Sequence, residues 1–164
     1  ESELLEKEKL QNLVQECVIE SDLEILIPQD YVNNTAERLQ LYSQLDNIET
    51  EDELAQFTNT LVDRFGKLPE PVFELIKSVR LRWLGLKIGF DKITIKNERL
   101  KCYINDDKAD SYFQSNTFGK VIKFAQVNAS KCKIKEQNKK LTLTVQDIIE
   151  MDNALEILNQ ILKD

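Results

Sequence analysis

Up to Gly89 the apolar residues of this chain recur mostly at steps of three and four. Beyond it they recur largely at steps of two. The clearest helical stretch begins at Glu51, where Leu54, Phe57, Leu61 and Phe65 predict one buried stripe. Thr50 and Glu53 form an S/T-x-x-E capping box that satisfies orphan N–H groups at its start. Gly66 is expected in the left-handed C′ conformation, and Pro69 cannot continue the helix, so the chain must turn there. Pro71 suits the first turn of a second helix, where its missing N–H costs nothing. That helix has one apolar stripe of Val72, Leu75, Ile76, Val79, Trp83 and Leu86 and a second of Phe73, Leu81, Leu84 and Ile88. It is expected to be covered on much of its circumference, to serve as the core around which both halves pack, and to end at Gly89.

Upstream, Leu4, Leu10, Leu13 and Val14 predict a helix from Glu1 to about Gln15, read as an extension from a preceding domain. Ile19, Leu23, Ile25 and Ile27 then alternate as in an extended segment or edge strand, ended by Pro28. Asn34 with Glu37 opens another capped helix, with Leu41, Tyr42, Leu45 and Ile48 as its apolar side. The short connection from Asn47 to Thr50 implies that the helices on either side pack antiparallel or at a steep angle.

After Gly89, Ile93 and Ile95 alternate with polar residues, as do Leu100, Cys102 and Ile104, which predicts a hairpin around Asn97-Glu98. Phe118, Val121, Ile122 and Ala125 mark a short helix, with a helical turn before it at Ser111 to Gln114. Cys132 and Ile134 face Leu141, Leu143 and Val145 across a turn at Gln137-Asn138-Lys139. Asp147 and Glu150 are expected to cap a last helix with the stripe Met151, Leu155, Leu158 and Leu162. The fold class is therefore α+β: an N-terminal helical portion, built on a capped helix pair with a Gly/Pro corner, packed on a small, mostly antiparallel sheet with two further helices.

Composition narrows the chemistry. The 164 residues are 41% hydrophobic and 31% charged, ordinary for a globular protein, and no apolar run is long enough to span a bilayer. The chain starts at Glu1, and its one methionine is Met151, so it is expected to be part of something longer. Cys17, Cys102 and Cys132 are widely spaced, and an odd, scattered set fits a reducing cytosol. With no histidine and no CxxC, a metal site and a Ser-His-Asp or Cys-His nucleophile are both disfavoured. Gly119-Lys120 lacks the rest of a phosphate-binding loop. No cofactor is expected.

The net charge of −7 is uneven, because residues 91–145 hold 12 Lys/Arg against 6 Asp/Glu. Such asymmetry fits either a nucleic-acid surface or the solvated face of a sheet. Lys131, Lys133 and Lys135 share one strand face, and the reading favoured for them is an edge strand protected by lysines. Glu51, Asp52 and Glu53 suit a helix's first turn and need no catalytic explanation. Thr60, Asp63 and Arg64 lie beside one another on the flank of the Leu54/Leu61 stripe. They either hold the helix corner by local ion pairing or present a patch to a partner, with Arg64 able to grip a carboxylate.

The stretch LVDRFGKLPEPVFELIKSVRLRWLGLKIGFDKI resembles the C-terminal domain of bacterial transcription-repair coupling factors, ATP-driven DNA translocases. CVIESDLEILIPQDYV at Cys17 to Val32 and ERLQLYSQL at Glu37 to Leu45 agree with it, although Gln29 stands where the family has an acid. The resemblance runs from about Cys17 to Phe90. It implies a non-catalytic regulatory domain at 17–164, preceded by a helical extension at 1–16, in a cytoplasmic protein. It further implies that the domain docks on the parent's UvrB-like N-terminal module, masks the surface that recruits UvrA and restrains the motor. RNA polymerase is then an indirect partner, and direct nucleic-acid or membrane contact is not expected. The family's Asp-Arg-Phe helix maps onto Asp63 and Arg64, and Thr60 stands where the family often has Glu, which puts one charged contact in doubt. The alternative is an autonomous nucleic-acid-binding module using the basic 91–145 half.

Overall fold

The pairing of β1 with β2 joins distant parts of the sequence: Val18–Ser21 (β1) lies parallel to Lys92–Lys96 (β2), with Ile19 opposite Ile93. The remaining pairs are antiparallel and involve β3 (Arg99–Asn105), β4 (Cys132–Gln137) and β5 (Lys140–Val145), in the sheet order β1-β2-β3-β5-β4. The computed structural model describes residues 16–163, so the helix expected from Glu1 to about Gln15 lies outside the described residues. The described helices are α1 (Thr35–Asp46), α2 (Glu51–Phe65), α3 (Glu70–Ile88), α4 (Asp110–Phe113), α5 (Asn116–Val127) and α6 (Met151–Lys163). The chain is thus α+β, as its periodicity implies. It forms two units, one of Glu24–Arg80 and one joining the segment that ends at Leu23 to Leu81–Asp164. The division falls inside α3.

In the helical unit both expected caps form. Thr50 Oγ1 accepts from the Glu53 N–H and donates to its carboxylate, and Asn34 Oδ1 accepts from the Glu37 N–H. Leu54, Phe57 and Leu61 are buried as predicted. Phe65 is half-buried and packs its ring on Tyr31, with centroids 5.7 Å apart. Gly66 departs from expectation: at φ 90°, ψ −163° it lies outside the left-handed helical well, in a region essentially reserved for glycine. The Tyr31 hydroxyl stands over this corner, 2.8 Å from the Gly66 carbonyl and 3.2 Å from that of Leu61.

Val72, Ile76 and Val79 of α3 are buried, whereas Phe73 is 44% exposed, so that part of the expected second stripe faces solvent. Glu51 receives two hydrogen bonds from Arg80, at 2.8 and 3.0 Å, which hold its carboxyl below the usual range. The first-turn acid is structural, as its position suggests.

The sheet unit has one apolar face. Ile93 and Ile95, Leu100 and Cys102, Leu143 and Val145 stand opposite one another across β2, β3 and β5, and all are buried. Cys132 continues that face on β4. Lys92, Thr94 and Lys96, with Arg99, Lys101 and Tyr103, and Thr142 and Thr144 with Lys133 and Lys135, alternate with them on the other face. Both hairpins turn on two residues of positive φ, Asn97-Glu98 and Asn138-Lys139, the geometry that matches strand twist. Gln137, expected in the second turn, is the last residue of β4.

Asp91 accepts from the Asn105 N–H and from Lys108 Nζ, both at 2.8 Å, and so anchors the end of β3. Gly89 at φ 101° ends α3, and the Tyr112 hydroxyl donates to the Ile88 carbonyl at 2.7 Å. The last helix is capped differently from expectation. Asp147 has a positive φ, and Asn153 Oδ1 instead accepts the N–H groups of Ile149 and Glu150. Beyond Gly89 the described residues form three helices rather than two, since the turn expected at Ser111 to Gln114 is the one-turn α4.

Candidate partner-docking site

On α2 a single row of residues, Glu53, Gln56, Thr60 and Arg64, recurs at three- and four-residue steps and lines an open groove against α1. The groove encloses about 500 Å³. Its α1 wall carries Ser43, Gln44 and Asn47, and Leu41, Ile48 and Phe57 form an apolar floor. Such a mixture of polar walls and a narrow apolar base suits a partner segment with one or two apolar side chains and polar flanks.

Of the three residues singled out by sequence, Thr60 and Arg64 share this row and Asp63 does not. Thr60 is exposed, and its hydroxyl donates to the Gln56 carbonyl one turn back at 2.9 Å. Arg64 forms an ion pair with Glu37 of α1, and its guanidinium lies 4.7 Å from the Phe65 ring centroid. Asp63 is exposed on the side turned away from the core stripe and makes no ion pair among the described residues. Arg64 is therefore engaged by a residue of α1 rather than within the helix corner, while Asp63 is available to an outside group.

Sequence reasoning missed Glu37 as a site residue. It sits at the third position of α1, where its backbone N–H completes the Asn34 cap, and that role hides its carboxylate's bond to Arg64. Gln56 was legible in principle, since Gln56, Thr60 and Arg64 stand at four-residue intervals.

Motif residues upstream of the groove bind backbone. The Tyr42 hydroxyl accepts from the Ile27 N–H at 2.7 Å, and Arg38 donates to the Val32 and Asn33 carbonyls at 2.6 and 3.1 Å. Together with Tyr31 they fix the loop that precedes α1, which gives the sequence pattern a structural reason.

A family model for the TRCF domain matches residues 21–115. The chain belongs to this family. Among curated TRCF relatives, the transcription-repair-coupling factor of Rickettsia conorii is 30% identical over 119 residues, covering 71% of this chain and 10% of that protein. The Escherichia coli K12 protein is 34% identical over 79 residues, 48% of this chain and 7% of its own length. That of Staphylococcus aureus USA300 is 25% identical over 133 residues, 80% of this chain and 11% of its own. The chain thus spans about a tenth of the length of the curated relatives it matches. The crystal structure of the C-terminal domain of transcription-repair coupling factor superposes with a TM-score of 0.68 at 14% identity, covering 90% of this chain and 92% of that one. The family model ends at residue 115, and the likeness to the solved domain, over 90% of this chain, continues beyond it.

Among the described residues no group of His, Cys, Asp and Glu is placed to hold a metal ion, and no helix is long and apolar enough to cross a membrane. Burial pushes the Cys17 thiol up to about 12 and raises those of Cys102 and Cys132 as well. These are packing residues, poorly suited to act as nucleophiles.

Proposed function

We propose that this TRCF domain is a non-catalytic, autoregulatory docking module, occupying 17–164 of a cytoplasmic transcription-repair coupling factor whose other domains carry the ATP-driven translocase. It docks through Thr60, Asp63 and Arg64 on the UvrB-like N-terminal module of the same protein. In the docked state it masks the surface that recruits UvrA and restrains the motor. Engagement of a stalled RNA polymerase favours the released state. The mechanism is a coupling free energy between two arrangements, and it needs no bond chemistry from this chain.

The observation that carries this reading is the state of Arg64. Its guanidinium is held by Glu37 and the Phe65 ring at the edge of an open groove, while Asp63, on the outer side of α2, makes no ion pair among the described residues. An exposed pair of this kind is worth about 0–1 kcal/mol, so a partner carboxylate can exchange for Glu37 at small cost. Contacts that must form and release are better made from such groups than from a large apolar patch. The TRCF family supplies the parent in which the switch would operate.

The test is binding of this chain to the separately expressed UvrB-like module of its parent, with and without Asp63→Arg and Arg64→Glu. Loss of binding by the reversed variants, with circular dichroism unchanged, supports the reading. Undiminished binding by both would move the interface off α2 and sink it. If the untethered pieces associate too weakly to measure, the same comparison is made with the two joined by a flexible linker, which raises their effective concentration.

A further inference from the structure

The polar face of the sheet collects cations that edge protection does not explain. Lysines on β4 guard an exposed edge, as its place in the strand order shows. Lys101, however, stands on β3, in the middle of the sheet, and Lys92 and Lys96 stand on the interior strand β2. Register joins them in rows: Lys92, Tyr103, Thr142 and Lys135 form one, and Thr94, Lys101, Thr144 and Lys133 the next. Neighbours along a row are about 4.8 Å apart, and successive rows about 6.7 Å apart. In a chain with a net charge of −7, the one acid these strands place on this face is Glu20 of β1, whose carboxylate lies 3.4 and 3.5 Å from Lys92 and Lys96.

Arg99, Lys101, Lys133, Lys135 and Lys140 make no ion pair among the described residues. A concavity of about 270 Å³ opens on this face between Glu20 and Tyr103, floored by the Thr94 side chain. Among the described strand residues Tyr103 is the one aromatic ring on the face, with the ammonium groups of Lys92 and Lys140 lying 5.9 and 5.8 Å from its centroid.

We propose that this face binds single-stranded nucleic acid, with its unpaired cations holding the phosphates and Tyr103 receiving one base. A phosphodiester chain needs cations repeated at several ångströms and neutral hydroxyl donors between them, and the lysine and threonine rows provide both. A ring flanked by ammonium groups suits a base stacked between two phosphates, since the lysines can slide from the ring to the backbone as the base arrives. Glu20 acts as an internal competitor, holding Lys92 and Lys96 until phosphate displaces it. The surface belongs to the sheet unit and is independent of the α1/α2 groove, so either reading can fail alone.

The test is fluorescence anisotropy of the 164-residue chain with a labelled oligothymidylate of roughly a dozen nucleotides, titrated at several salt concentrations. Neutralising about four phosphates predicts a roughly fifty-fold loss of affinity between about 50 and 200 mM salt. Lys101→Gln with Lys135→Gln halves the salt slope. Tyr103→Leu weakens the oligothymidylate about tenfold while leaving duplex DNA unchanged. Glu20→Gln tightens binding, and Arg64→Glu leaves it as it was. Absence of saturable binding at the lowest salt overturns the proposal. So does an unaltered slope in the double glutamine variant with intact circular dichroism. Displacement by polyglutamate at equal charge concentration would assign the face to an acidic protein and also overturn it. Should Tyr103→Leu fail to fold, the lysine pair and Glu20→Gln decide.

Discussion

Arg64 of α2 and Glu37 of α1 form an ion pair across two helices that the sequence capped separately. Their side chains are 49% and 28% exposed, so the pair is a weak brace and an exchangeable one. Glu37→Gln should change stability by less than about 1 kcal/mol, yet leave Arg64 without its internal competitor. On the docking proposal, affinity for the UvrB-like module should then rise about two- to fivefold, measured by calorimetry at low salt. A fall in affinity would mean that Glu37 is itself part of the contact.

Gly66 and Gly119 should respond oppositely to alanine. Beyond the adjoining backbone, no atom lies within 4 Å of where a Cβ would stand at either. At Gly66 the backbone alone resists substitution, and Gly66→Ala should cost about 1–3 kcal/mol. Gly119 lies within α5 with ordinary helical freedom, and Gly119→Ala should stabilise by about 0.5–1 kcal/mol. Urea denaturation of both variants checks the sign of each.

Asp91 and Lys108 are a mostly buried pair, their side chains 17% and 10% exposed. Asp91→Ala strands the Lys108 ammonium and the Asn105 N–H, and should cost about 3 kcal/mol. Adding Lys108→Met should recover part of that loss, because the stranded charge is gone. Thermal unfolding of the single and double variants measures the recovery, and its absence would place the cost in the Asn105 contact.

Alkali should destabilise the sheet unit. Burial lifts the Cys17 thiol from the ordinary 9.0 to about 12, and Cys102 and Tyr112 also move upward by burial. Groups raised in the folded state favour folding fully below their unfolded values. Their contribution is lost as pH climbs from about 9 toward about 12. Unfolding free energy should therefore fall across that window, with proton release on unfolding. At neutral pH a disulfide thiol reagent should react with these cysteines only after denaturant is added.

The elements themselves were largely legible. Three- and four-residue spacing located α2 and α3, and alternation located both hairpins, because one-sided burial leaves a period in the sequence. Phe73 misled because the stripe it shares with Leu81 and Ile88 is buried only towards its end, and periodicity does not tell where along a helix coverage begins. The extended segment expected as far as Ile27 pairs only over Val18–Ser21, and nothing local marks its partner, Lys92–Lys96, as parallel. Arg64 was legible by type and position, but Glu37 was not, since side chains brought together by a helix crossing share no spacing. Lys92 and Lys101 were visible only as part of a charge excess, and Lys135 only as one of three lysines on a strand face, until the register put them in rows.

The parallel pairing of β1 and β2 also constrains how the protein is made. Val18–Ser21 leaves the ribosome with its hydrogen-bonding partner not yet synthesised, and the whole of Glu24–Arg80 must be translated before Lys92–Lys96 exists. The helical unit is therefore complete in the nascent chain while β1 is still waiting, and the closing step is the distant one, slow by its sequence separation. Its neighbour strand in space is one of its later arrivals in time.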